Sequence, residues 1–134
     1  VCIVDLDTVM PGTILFDYGD AIRTGANAAA EDEQDLGRVR IDLDLFRAYT
    51  EGYLEFAGRF MTPKEKELLV FSARFMTFLI GLRFLTDHLD GDRYFRIHRE
   101  HHNLQRARAQ FRLLETMEEQ EAEMQQIITE ILDL

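Results

Sequence analysis

Asp5 and Asp7 stand one residue apart at the end of an apolar, β-branched run, Val1-Cys2-Ile3-Val4. A buried strand that ends in carboxylates is a rigid mount for a divalent cation, and phosphoryl transfer needs such a cation held against phosphates. Surface strand ends also carry aspartates for solvation, so the spacing alone leaves both roles open. Three other groups invite chemistry. Within His98, His101 and His102, two histidines lie four apart, the spacing of metal ligands that share a helix face. No glutamate follows in the zincin pattern, and an exposed polar pair is the plainer reading. Arg93, Arg96, Arg99, Arg106, Arg108 and Arg112 make a basic stretch that suits either a phosphate or the chain's surplus carboxylates, and pairing with carboxylates is the reading adopted. Asp87, Asp90, Gly91 and Asp92 imitate a calcium loop, but the acidic residues are not at alternate positions before the glycine.

These residues need a scaffold, and 134 residues with 46% hydrophobic and 30% charged side chains are enough for one folded unit. A formal charge of -10 gives no global drive toward nucleic acid or an anionic membrane. The lone Cys2 excludes an internal disulfide and a multi-cysteine zinc site. With no signal-peptide pattern, a reducing cytoplasm is the expected compartment. The opening run has no turn or cap before it, and the next strand candidate is the short Val39-Arg40-Ile41. The expectation is therefore a piece of something longer, whose upstream residues pair with that strand.

Past the strand tip, Met10-Pro11-Gly12 reads as a turn. Residues 13–37 read as a connector, with a helical turn or two starting near Asp20. From Asp42, a capping residue, Phe46, Tyr49, Tyr53, Phe56 and Phe60 recur at helical spacing, which predicts a helix over about 43–59. Thr62-Pro63-Lys64-Glu65 is a capping box that starts a second helix, expected to run to Leu89 and stop at Asp90-Gly91. Its middle, Leu68 to Leu85, is apolar nearly all round. Arg74 and Arg83 would make bilayer insertion cost about 3 kcal/mol for each central arginine, so a helix sandwiched between others is expected rather than a membrane span. A last helix is predicted over about 103–132, its stripe formed by Leu104, Ala107, Phe111, Leu114, Met117, Met124, Ile128 and Ile131.

The stretch from Ile3-Val4-Asp5-Leu6-Asp7 through Met10-Pro11-Gly12 to Phe16-Asp17-Tyr18-Gly19-Asp20-Ala21-Ile22-Arg23-Thr24-Gly25-Ala26-Asn27 resembles the metal-binding segment of the aminoglycoside phosphotransferase superfamily. The variant it is most similar to is that of the N-acetylhexosamine 1-kinases. Arg83-Phe84-Leu85-Thr86-Asp87-His88-Leu89, Asp92-Arg93-Tyr94-Phe95 and the segment from His102 to Phe111 follow in the order that family shows. The resemblance implies a mainly α chain, the helical carboxy-terminal-lobe fragment of a bilobal, protein-kinase-like fold with a short β segment at its start. Residues 1–36 would form the metal-binding strand, turn and connector, and 37–134 the helical substrate-binding part.

It further implies a parent enzyme that uses ATP and Mg2+ to phosphorylate the anomeric hydroxyl of an N-acetylhexosamine. Asp5 would bind the magnesium, Asp7 would assist it, and Asp20 would brace the catalytic loop from a helix start. Arg83 and Tyr94 would approach the sugar. Asp17-Tyr18-Gly19 imitates the Asp-Phe-Gly of protein kinases, but it follows a turn, whereas Asp5 ends a strand. No Gly-rich phosphate loop, strand lysine or His-x-Asp catalytic loop occurs in these residues, so catalysis and ATP binding are not expected of this chain by itself. Two other classes stay open: another small-hydroxyl kinase of choline, homoserine or aminoglycoside type, and a non-catalytic helical module that self-associates. For Arg83 and Tyr94 the packing alternative is that Arg83 pairs with Asp87, four residues on, and Tyr94 rests on the Gly91 turn.

Overall fold

The computed structural model describes Cys2, Leu6 and residues 9–133. The strand expected over the opening run, with Asp5 and Asp7 at its tip, lies outside the described residues, except that Cys2 is described and exposed. The chain is mainly helical, as expected: α1 (Leu15–Gly25), α2 (Leu43–Ala57), α3 (Pro63–Glu67), α4 (Leu69–Leu89), α5 (His102–Glu119) and α6 (Glu121–Leu132). Among the described residues no strand forms. The segment Val39-Arg40-Ile41 contributes a single antiparallel bridge, Asn27 to Ile41, flanked by N–H donations from Ala28 to the Arg40 carbonyl and from Asp42 to the Ala26 carbonyl.

Helix starts follow their chemical signals. The Asp42 carboxylate accepts the N–H groups of Asp44 and Leu45, both at 3.0 Å. Thr62 and Glu65 close the reciprocal capping box, with Glu65 Oε2 accepting the Thr62 N–H at 2.8 Å and Thr62 Oγ1 accepting the Glu65 N–H at 3.2 Å. Three boundaries differ from expectation. First, α1 begins at Leu15 and not near Asp20, because Thr13 Oγ1, just past the Pro11-Gly12 bend, accepts the Leu15 N–H at 3.3 Å. Second, the expected 63–89 helix is interrupted at Leu68, whose N–H is shared between the Lys64 and Glu65 carbonyls; this tighter closure is the usual way a helix turn shortens. Third, the expected 103–132 helix breaks at Gln120 (φ −111°, ψ 18°), which sends α6 back across α2. Arg74 spans that break, bonding Glu118 at the end of α5 and Glu121 at the start of α6.

Helix α4 packs against both α1 and α5, whereas Phe71, Phe75, Phe78 and Leu82 along its remaining face are apolar and exposed. By length and composition alone it could cross a membrane; in this fold Leu69, Val70 and Ala73 are fully buried against protein. Its buried hydroxyls stay satisfied within the helix: Ser72 donates to the Leu69 carbonyl and Thr77 to the Ala73 carbonyl. Backbones meet closely at two points. A Cβ on Gly19 of α1 would sit 2.4 Å from the Ser72 carbonyl oxygen, and one on Gly81 of α4 would sit 3.1 Å from Gln110 and from the Phe111 ring.

Tyr18 and Gly19, the middle and end of the kinase-like triplet, are thus packing residues. Tyr18 is fully buried and, because Thr50 spends its own hydroxyl proton on the Phe46 carbonyl, donates to Thr50 Oγ1 at 2.8 Å. Burial pushes its phenol pKa well above the ordinary value, so it stays a donor at all working pH. On α2 the buried line is Phe46, Thr50 and Leu54; Phe56 of the expected stripe is exposed, and Phe60, also exposed, lies past the end of the helix at Ala57. One core joins α1, the connector and the later helices, from Tyr18 and Ile22 through Val39 and Ile41 to Leu113, Met124 and Ile128. The position 36/37 lies inside the 3₁₀ turn Leu36–Arg38.

The glycines give a paired test. Gly19→Ala should destabilise the chain by roughly 2–3 kcal/mol, because the methyl group meets backbone that cannot swing away. Gly52→Ala, inside α2 with nothing within 4 Å of the new carbon, should stabilise it by about 0.5–1 kcal/mol. Urea unfolding followed by circular dichroism reads both, and equal effects would refute the close approach.

Candidate functional site

Arg83, Asp87 and Tyr94, three of the residues singled out by sequence, lie where α4 ends and the loop to α5 begins. Gly91 (φ +89°) and Asp92 (φ +56°) turn the chain through two left-handed positions after Leu89. That turn folds the following backbone over Asp87, itself buried on α4. Asp87 Oδ1 accepts the N–H groups of Arg93 at 2.9 Å and Tyr94 at 2.8 Å, while Oδ2 accepts the Phe95 N–H at 3.0 Å and Asn103 Nδ2 at 2.8 Å. Asn103 also donates to Asp92 Oδ1 at 2.9 Å, and its own Oδ1 accepts from Arg106. Burial pushes the Asp87 carboxyl pKa up, but the three backbone N–H donors and Asn103 outweigh it and hold the group below the ordinary carboxylate range.

With its oxygens so engaged, Asp87 is no ion-pair partner for Arg83, and the packing alternative for Arg83 fails. The exposed Arg83 has no carboxylate partner among the described residues. It lies 5.5 Å from the Tyr94 ring centroid and 5.4 Å from that of Phe95. Tyr94 meets Phe95 edge-on, ring centroids 4.8 Å apart, and is 74% exposed; it packs on these side chains and not on the Gly91 turn. Leu82, Arg83, Thr86, Asp90, Tyr94 and Phe95 line an open cleft of about 350 Å³.

Arg83 also lines a second cleft, of about 420 Å³, with Asp17, Asp20, Phe16 and Ile80. The structure therefore brings Asp20, Arg83 and Tyr94 along one surface, with Arg83 common to both hollows. Asp20 is inside α1 and not at a helix start, for the reason given by Thr13. It accepts the Arg23 Nε–H at 2.8 Å, and Arg23 in turn bonds Glu31 at 2.8 Å and Gln110 Oε1 at 3.3 Å. Asp5 and Asp7 lie outside the described residues, so no metal geometry is described.

The histidines are structural. His102 is buried, accepts the His98 N–H on Nδ1 at 3.2 Å and so carries its proton on Nε2, which donates to Asp32 at 2.8 Å. Both ring nitrogens of His102 are used, so the metal alternative for His98 and His102 falls away, and His102, at 2% exposure, departs from the exposed pair that was expected. The hydrogen bond from His102, then that from Arg99, holds the Asp32 carboxyl below its ordinary pKa. Of the six arginines, Arg99 and Arg112 pair with carboxylates, and Arg106 bonds the Arg96 carbonyl and Asn103. Sequence reasoning missed Asn103, Asp32 and Gln110. The faint signal was a buried-helix aspartate followed by a glycine turn, which leaves new N–H donors for a carboxylate to collect.

No model of a known protein family matches the chain.

Because the folded-state pKa of Asp87 is depressed, the order it gives the loop is fully present above the ordinary carboxylate range and is lost as pH falls through the lowered value. Acid titration followed by NMR should therefore show the Arg93, Tyr94 and Phe95 amide signals moving together at pH below that range. Asp87→Ala should reproduce the acid spectrum at neutral pH. Unchanged amide positions in that variant would remove Asp87 from its role.

Proposed function

We propose that this chain is part of the helical carboxy-terminal lobe of an ATP-dependent phosphotransferase of the aminoglycoside phosphotransferase type, acting on the anomeric hydroxyl of an N-acetylhexosamine. The observation that carries the reading is Arg83, an exposed guanidinium with no carboxylate partner among the described residues, positioned beside the Tyr94 and Phe95 rings on a pinned loop. Such a group offers N–H donors to an acetamido carbonyl or a ring hydroxyl, while the Tyr94 ring covers a sugar face and its hydroxyl donates. The site is preorganised on this reading: Asp87 fixes the backbone of Tyr94 and Phe95, and the rings orient Arg83 without neutralising it. Asp5 and Asp7 would hold magnesium, which supplies charge neutralisation for the phosphates of ATP bound by the rest of the enzyme.

In the complete enzyme, Arg83→Ala and Tyr94→Phe should raise the KM for the sugar severalfold with little change in the KM for ATP. Equal losses toward both substrates, or a fall in melting temperature that accounts for the lost activity, would defeat the assignment.

A second reading rests on a different surface. Phe16, Phe71, Phe75 and Phe78 are exposed; Phe16 stacks on Phe75 at 6.4 Å and Phe71 on Phe75 at 5.9 Å, while Phe78 tilts against Phe111. A contiguous apolar patch of this kind favours association with another surface. Sedimentation of the chain should show a dimer or larger, and Phe71→Glu with Phe75→Glu should return it to monomer. A clean monomer of the unaltered chain at high concentration would sink this reading.

A further inference from the structure

We propose that α4 pairs antiparallel with α4 of a second copy of this chain, across a two-fold axis at the height of Ile80, an arrangement that rests on the self-association reading of the exposed phenylalanine face and supplies its geometry. The face of α4 left open by α1 and α5 carries Phe71, Phe75, Phe78, Leu82, Leu85 and Leu89. Steps of four and three alternate along these positions over most of the helix, which is the spacing of a coiled-coil seam. Five of the six are exposed, and Leu85 is partly buried.

The order of residue types along the seam selects the partner. Its amino-terminal half is phenylalanine, its carboxy-terminal half is leucine, and the positions are symmetric about Ile80. Antiparallel pairing therefore sets Phe71 against Leu89 of the second copy, Phe75 against Leu85 and Phe78 against Leu82. Every layer then holds one ring and one branched aliphatic chain, and all layers have the same volume. Parallel pairing would stack ring on ring at one end and leucine on leucine at the other, which forces unequal separations on the two ends. Opposed helix dipoles favour the antiparallel arrangement as well. A surface that complements itself in this way is what a two-fold interface requires.

Charge and area agree with that partner. The seam positions carry no charged side chain, and Arg74, between Phe71 and Phe75 in sequence, is already neutralised by Glu118 and Glu121, so pairing leaves it no unmatched charge. Phe16 of α1 lies beside Phe75 and Phe111 of α5 beside Phe78, ring centroids 6.4 Å apart in each case, and both widen the strip. A phenylalanine hides roughly 200 Å² when fully buried, so the half-exposed Phe16, Phe71, Phe75 and Phe78 offer about 400 Å² per copy. With Leu82 and Leu89 added, two copies together hide on the order of 1,000 Å², the area at which a specific interface begins.

Sedimentation equilibrium of the chain should show a dimer that saturates, because a two-fold interface uses the same face of both copies and leaves none for a third. On a Cys2→Ser background, nitroxide labels attached at Leu89→Cys should lie about 27 Å apart along the helix axis, the rise from residue 71 to residue 89 at about 1.5 Å per residue. Parallel pairing would set the same labels about 10 Å apart, one interhelix distance. Phe71→Lys mixed with Leu89→Glu should associate at least tenfold more tightly than either variant alone, since position 71 of one copy meets position 89 of the other. Both positions are exposed, so neither variant threatens the fold. A short label distance, a mixture no tighter than its components, or an open series of larger species overturns the antiparallel pairing and leaves self-association standing. A clean monomer at high concentration overturns both.

Discussion

Everything in this fold depends on how near two backbones come to α4. At Gly19 the α1 backbone rests on the Ser72 carbonyl, and at Gly81 the α4 backbone admits Gln110 and Phe111 of α5. No side chain larger than hydrogen fits the first contact without movement of main chain. Close packing on two opposite sides is what makes a helix with few polar faces stable in a folded chain. It also sets the spacing between α1, which carries Asp20, and the surface of α4 that carries Arg83. The cleft that Arg83 shares with Phe16, Asp20 and Ile80 lies at the outer margin of the contact made at Gly19.

A second constraint acts at the end of α4, where charge is managed by backbone and not by opposite charge. Asp87 is satisfied by three consecutive N–H groups and an asparagine, and that choice frees Arg83 from an ion pair. A helix-spaced Arg and Asp would ordinarily be read as partners. Their separation gives the loop order and leaves the cation beside rings, where its donors face outward. The same economy appears around Asp32, which ties the connector to the start of α5 through His102 and Arg99.

Elements with a chemical start or stop were legible in the residues: Asp42 and the Thr62 capping box begin helices where expected, and Gly91 marks the end of α4 because its φ of +89° suits glycine. The breaks at Leu68 and Gln120 were not legible, since neither carries glycine or proline and the apolar period runs through both. They exist because Leu69 and Val70, and then Met124 and Ile128, gain burial by changing direction, a tertiary gain that local pattern does not encode. At the candidate site, Arg83 and Tyr94 were visible by type and resemblance, and their mutual contact follows from a loop geometry set by Asp87. The buried roles of Asn103, His102 and Gln110 were hidden, because polar residues on a helix read as solvated until the facing surface is known.

The core draws residues from both ends of the chain: Tyr18, Ile22 and Phe46 are closed over by Leu113, Met117, Met124 and Ile128. The Ile41 N–H finds its acceptor only on Thr116. During synthesis the amino-terminal helices therefore emerge with their apolar sides open, and they stay so until α5 and α6 have followed. A product cut short before α5 and α6 would have no lid on this core and is the kind of chain that holding chaperones bind and proteases clear.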